Sequence, residues 1–233
     1  MSGTLYGVGV GPGDPELMTL KADRLIRSAD VVAFPALTGG DSLARSIAAQ
    51  AIPGTVREIV IEVPMTTERE PAQAAYDNGA DAIAEELADG RDVVCLCEGD
   101  PFFYGSFMYL FARLADRFTV EVVPGVSSLT ACAARASRPL VARNELLTVI
   151  PGPLPDGILA RRIGEAETII IMKVGRHLQR LRNLLDRLGF LENAIYVERA
   201  TMLDERRLPL REAPEKAPYF SMILVTKGAD PWL

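Results

Sequence analysis

Histidine occurs once, at His177, and cysteine three times, at Cys95, Cys97 and Cys132. One histidine and no Cys-x-x-Cys pair exclude the usual zinc ligand sets, so no structural or catalytic metal is expected. Three cysteines cannot all pair, and a reducing cytoplasm is the simplest setting. Cys95 and Cys97 alternate along "DVVCLC", so both point to one side of a strand. They read as a thiol pair or, more simply, as two small buried hydrophobes. No apolar run reaches the roughly 18 residues needed to cross a bilayer. A basic start followed by a long apolar core is also missing, so no leader peptide is expected. Lysine and arginine (25) are outnumbered by aspartate and glutamate (31), for a net charge of −6. That balance argues against a dedicated nucleic-acid binder but permits a local arginine cluster for an anionic small molecule.

What is present is an alternation. Strand-like stretches at 4–10, 30–34, 56–63, 92–100 and 119–123 alternate with helix-like stretches at 15–28, 41–51, 71–89 and 101–115. β-branched, apolar strands separated by helices predict a parallel sheet covered on both faces. A helix over 127–137 leads to a second set. It comprises strands at 146–150, 167–173, 193–199, 206–212 and 219–228, with helices at 156–164 and 175–188. The last two strands are expected to form a hairpin-like antiparallel end. The fold class is therefore α/β, in two α/β domains, 1–125 and 126–233.

The stretch "GVGVGPGDPELMTLKA", from Gly7, looks like a dinucleotide-binding loop but fails the spacing test. A Rossmann fingerprint needs a third glycine where Pro12 stands. Proline has no N–H to offer a phosphate. Asp14 before Pro15 reads as an N-cap before a first helical residue, which occupies the donors a phosphate needs. No G-K-[ST] follows, so a Walker loop is excluded as well. The G-D-P triplet recurs at Gly99-Asp100-Pro101, again after an apolar strand. Ligands of open α/β sheets sit beyond such strand ends, so the two loops suggest one pocket.

"VGVGPGDPELMTLKA", "CEGDPFFYGS" and "VPGVSS", in that order and spacing, resemble the tetrapyrrole methyltransferases. These are S-adenosylmethionine enzymes of corrin and sirohaem synthesis. "YVERATMLDERRLPL" (196–210) and "PYFSMILVTKGADPW" (218–232) narrow the likeness to the corrin-methylating members. The resemblance implies two α/β domains with the active site in the cleft between them, a tetrapyrrole substrate, S-adenosylmethionine as cofactor and a homodimer. It places Pro12, Glu98, Gly99, Asp100, Phe103, Ser127 and Ser128 at the cofactor, with Met172 and Ala200 against the adenine. Asp100 and the two serines also read simply as caps, and Met172 as a core residue. Tyr104, Arg176 and Arg199 are candidates for the substrate, whose carboxylates suit the planar guanidinium fork. Arg45 and Lys173 stand behind them. Uroporphyrinogen-methylating members carry an aspartate after the second strand. Here that strand is read as ending at Pro35, and no catalytic base is assigned.

Overall fold

The computed structural model describes residues 2–64 and 69–228. Residues 229–232 of the last quoted stretch lie outside them. The chain divides into two compact units, Met1–Ser127 and Ser128–Leu233.

In the first unit, strands β1 (Thr4–Gly9), β2 (Val31–Leu37), β3 (Arg57–Val63), β4 (Val93–Cys97) and β5 (Thr119–Val123) form one sheet. Its order is β3-β2-β4-β1-β5, and every pairing is parallel. Helices α1 (Leu20–Arg27), α2 (Leu43–Ala48), α3 (Arg69–Ala88) and α4 (Phe107–Leu114) complete the unit. The period-2 geometry of β4 divides its side chains between two cores. Val93, Cys95 and Cys97 join Ile83, Leu87, Phe107 and Leu110, while Val94 and Leu96 join Ala22, Ile26 and Ile47. A strand buried on both faces reads as a continuous apolar run, as β4 does. The two cysteines are thus core hydrophobes, and burial pushes both thiols up.

In the second unit, α5 (Ser128–Ala136) precedes β6 (Leu147–Pro151), α6 (Asp156–Glu165), β7 (Thr168–Met172), α7 (Leu178–Arg187), β8 (Ala194–Glu198), β9 (Arg206–Pro209) and β10 (Ser221–Thr226). The sheet order is β6-β7-β10-β8-β9. Among the described residues only β6 and β7 pair in parallel in this sheet. Leu178, Leu181, Leu184 and Leu185 form the buried stripe of α7, at the spacing that places side chains on one helical face.

Four expectations need correction. β9 and β10 are antiparallel strands, but not a hairpin: β9 pairs with β8, while β10 lies between β7 and β8. Such insertion is a choice of tertiary packing that local patterning does not encode. β2 runs on to Leu37, and Pro35 pairs with Ile61 of β3. β2 pairs with β4 only as far as Ala33. Beyond that point one side of β2 has no ladder, which is where a sheet tolerates proline. The helix expected over 15–28 is a 3₁₀ turn, Pro15–Leu17, followed by α1 under its own Thr19 cap. The helix expected from 101 begins only at Phe107.

Candidate functional site

Because β4, β1 and β5 are adjacent and parallel, their C-terminal loops emerge at one sheet edge. This is the edge where open α/β sheets bind ligands. The two G-D-P loops are laced together there by main-chain hydrogen bonds. Val10 N–H donates to the Cys97 carbonyl (3.0 Å), and Gly99 N–H to the Gly11 carbonyl (2.8 Å). Gly11 and Gly99 adopt φ of +83° and +64°, a region open mainly to glycine. Gly9 shows how close the three loops lie. A Cβ on it would sit 2.6 Å from the Gly99 carbonyl oxygen and 2.7 Å from the Gly125 Cα.

Carboxylates occupy the N–H groups of these loops. Asp14 accepts from Glu16 N–H (2.9 Å), with Pro15 as the first residue of the 3₁₀ turn. Asp100 Oδ1 accepts from the N–H of Phe102 (3.0 Å) and Phe103 (3.1 Å). Its Oδ2 accepts from Gly125 N–H (3.1 Å). Asp100 is therefore a cap for the turn after β4 and a tether to the loop after β5. Burial pushes the half-buried Glu98 carboxyl above the ordinary range, against backbone hydrogen bonds at Glu98 itself and Ala44. Three carboxyl groups on this edge repel a phosphate and suit a cationic ligand. Pro12 is buried at the same edge. Phe103 stacks edge-on against Tyr104, centroids 5.3 Å apart. Tyr104 is exposed and has a left-handed backbone, φ 56°. Ser127 precedes α5, and Ser128 is its first residue.

The second unit presents its own edge, where β7 and β8 end on either side of β10. Met172 closes β7 half-buried. Ala200, just beyond β8, is buried. Three residues here have left-handed backbones without being glycine: Lys173 (φ 55°), Arg199 (φ 49°) and Thr201 (φ 71°). Strain of this kind persists only where surroundings enforce it, and it concentrates at functional sites. Arg199 pairs with Asp204 at 3.0 Å. Arg176 is exposed and directs its Nε at the His177 ring, 3.5 Å away. Burial, then Arg180 and Arg176, hold the His177 imidazole below its usual range. Arg45 forms a bidentate pair with Glu58 (2.9 and 2.8 Å).

Nothing local in the sequence singles out Gly125 or Glu205 within the motifs that contain them, and Tyr196 and Glu198 are marked there only by their spacing. Glu198 is buried at the end of β8 and accepts a 2.5 Å hydrogen bond from the Tyr196 hydroxyl. Burial and that carboxylate both push the phenol up. The available signal was a Tyr-x-Glu pair, which shares one strand face, within an otherwise apolar strand.

Residues 4–214 match the family model for tetrapyrrole (corrin/porphyrin) methylases. The chain belongs to this family. As a tetrapyrrole methylase it is 43% identical to a precorrin-2 C(20)-methyltransferase from a Sinorhizobium species, over 98% of this chain and 97% of that one. It is 33% identical to a cobalt-precorrin-2 C(20)-methyltransferase from Salmonella typhimurium, over 97% and 98% of the two chains. The Thermus thermophilus uroporphyrin-III C-methyltransferase, solved with S-adenosylhomocysteine, is similar in structure, with a TM-score of 0.69 and 28% identity. That likeness covers 97% of this chain and 92% of the other. The two-sheet α/β architecture of this tetrapyrrole methylase matches that of the Thermus thermophilus structure.

Proposed function

We propose that this protein transfers a methyl group from S-adenosylmethionine to C20 of precorrin-2, giving precorrin-3A in cobalamin biosynthesis. The full-length likeness to the Sinorhizobium enzyme carries this reading. The carboxylate-capped loops agree with it, because they disfavour a dinucleotide and favour a positively charged cofactor. When bound, S-adenosylmethionine supplies a methyl group that its sulfonium makes electrophilic.

The protein's own share is placement. Pro12, Glu98–Asp100, Phe103, Ser127 and Ser128 hold the cofactor, with Met172 and Ala200 at its adenine. Tyr104, Arg176 and Arg199 serve the substrate, the two arginines by pairing with its carboxylates. Alignment of the reacting carbon with the methyl and exclusion of water can account for roughly 7–11 kcal/mol of barrier lowering. No covalent enzyme intermediate is needed. The protein acts as a homodimer, to which the exposed Phe102, Met108 and Tyr109 of the α4 region offer an apolar surface. Its place is the cytoplasm, in keeping with three unpaired, buried cysteines. Among the described residues no helix is long and apolar enough to cross a membrane.

The test is product analysis. The protein is mixed with S-adenosylmethionine and metal-free precorrin-2, and mass and meso-proton NMR signals are followed. Gain of one methyl at C20 is expected. Turnover of the cobalt form alone would assign the cobalt-dependent route, for which the Salmonella likeness is the supporting observation. A methyl at another carbon would overturn the C20 assignment.

A further inference from the structure

We propose that Glu205 is a positioning residue for the cofactor, holding the turn Arg199–Ala200–Thr201 in the shape that receives adenine. The proposal rests on the reading above, in which Ala200 meets the adenine.

The turn is costly in isolation. Arg199 and Thr201 both lie in the left-handed region, at φ 49° and 71°, and Thr201 is β-branched, for which that region is a genuine outlier. Ala200, between them, is buried. Hydrogen bonds enforce the shape. Arg199 N–H donates to the Phe220 carbonyl (2.8 Å) and Met202 N–H to the Arg199 carbonyl (3.0 Å). Thr201 N–H donates to Glu205 Oε2 at 2.7 Å. Carboxylate acceptors make the stronger class of such bonds.

Glu205 is itself fixed. Its side chain is 13% exposed. Both its oxygens accept from Arg135 Nε, at 2.8 and 2.7 Å. Arg135 belongs to α5, and its carbonyl accepts from the Arg207 guanidinium at 2.5 Å. One carboxylate thus ties a strained turn to a helix anchored elsewhere in the same unit. A turn shaped in advance spares the cofactor the cost of ordering it. Glu205 itself need touch no ligand.

The experiment compares wild type, Glu205→Ala, Glu205→Gln and Arg135→Ala by S-adenosylhomocysteine calorimetry and by amide hydrogen exchange. Glutamine keeps an oxygen for Thr201 N–H, so Glu205→Gln should bind close to wild type. Glu205→Ala should weaken binding by about tenfold or more, with fast exchange at Thr201. Arg135→Ala leaves the Thr201 bond but frees the carboxylate, and should fall between. In steady state the loss should appear in KM for S-adenosylmethionine, with kcat retained at saturation. A purely structural role would lower thermal stability without changing the affinity of the folded protein. Wild-type affinity in a folded Glu205→Ala variant overturns the proposal, as does unchanged Thr201 exchange. Wild-type protein that binds no S-adenosylhomocysteine overturns the functional reading instead, and the exchange data still decide whether the tether exists.

Discussion

Asp100 and Gly125 are joined by a hydrogen bond of 3.1 Å from the glycine N–H to carboxylate Oδ2. It spans from the loop after β4 to the loop after β5, across the end of the intervening β1. The same carboxylate also serves Phe102 and Phe103. Asp100→Ala removes the acceptor for three N–H groups at once. A loss of about 1–3 kcal/mol is expected, together with weaker S-adenosylhomocysteine binding. Asp100→Asn keeps an oxygen at the Oδ1 position for Phe102 and Phe103 N–H and should lose less of both. Urea titration and calorimetry check this, and wild-type values for Asp100→Ala would reduce Asp100 to an incidental cap.

Gly125→Ala tests the close approach of the three loops. A Cβ there collides with the Gly99 carbonyl oxygen and lies 2.9 Å from the Gly9 Cα. Backbone cannot yield as a flexible side chain can. Destabilisation of about 1–3 kcal/mol or more is expected, with loss of cofactor binding. Gly54→Ala is the control, since nothing lies within 4 Å of a Cβ at that position. Equal melting temperatures for the two variants would show that the loops have room to part.

Ala200→Phe should abolish S-adenosylhomocysteine binding. The methyl is already buried, so an aromatic ring must enter the space assigned to adenine or distort the strained turn beside it. Overpacking of this kind costs about 1–3 kcal/mol in stability, which leaves a folded protein to assay. Calorimetry at wild-type affinity would remove Ala200 from the site.

Alkaline pH should destabilise the protein through its buried thiols. Burial, then Glu205, raises Cys132 from 9.0 to about 12, and burial raises Cys95 and Cys97 as well. A group whose folded pKa lies above its unfolded value contributes stability that is complete below the unfolded value. That contribution is lost as pH rises, here between 9.0 and about 12 for Cys132. Denaturation midpoints measured from neutral pH upward should therefore fall above pH 9, and fall less in Cys132→Ala. Alkylation near pH 8 should be slow until the protein unfolds. Rapid labelling of the native protein would contradict the burial argument.

By itself the sequence determined what depends on near neighbours. Strand and helix periodicity, the Asp14–Pro15 start of a helical turn, the proline that rules out a dinucleotide loop and the recurrence of G-D-P all lie within a few residues of one another. Their physics is local: side-chain alternation, dihedral limits and missing donors. The burial of Cys95 and Cys97 was legible for the same reason. Tertiary structure alone decided what depends on partners far along the chain. β10 lies between β7 and β8, where "SMILVT" is buried over five of its six positions. Pro35 stayed in β2 because the β2–β4 ladder stops at Ala33 and leaves that side of the strand unpaired. Gly125 sits tight because two other loops converge on it, and Glu205 holds Thr201 because α5 supplies Arg135. A carboxylate looks the same in sequence whether it faces water or a strained turn, and only the folded chain brings it an N–H to hold.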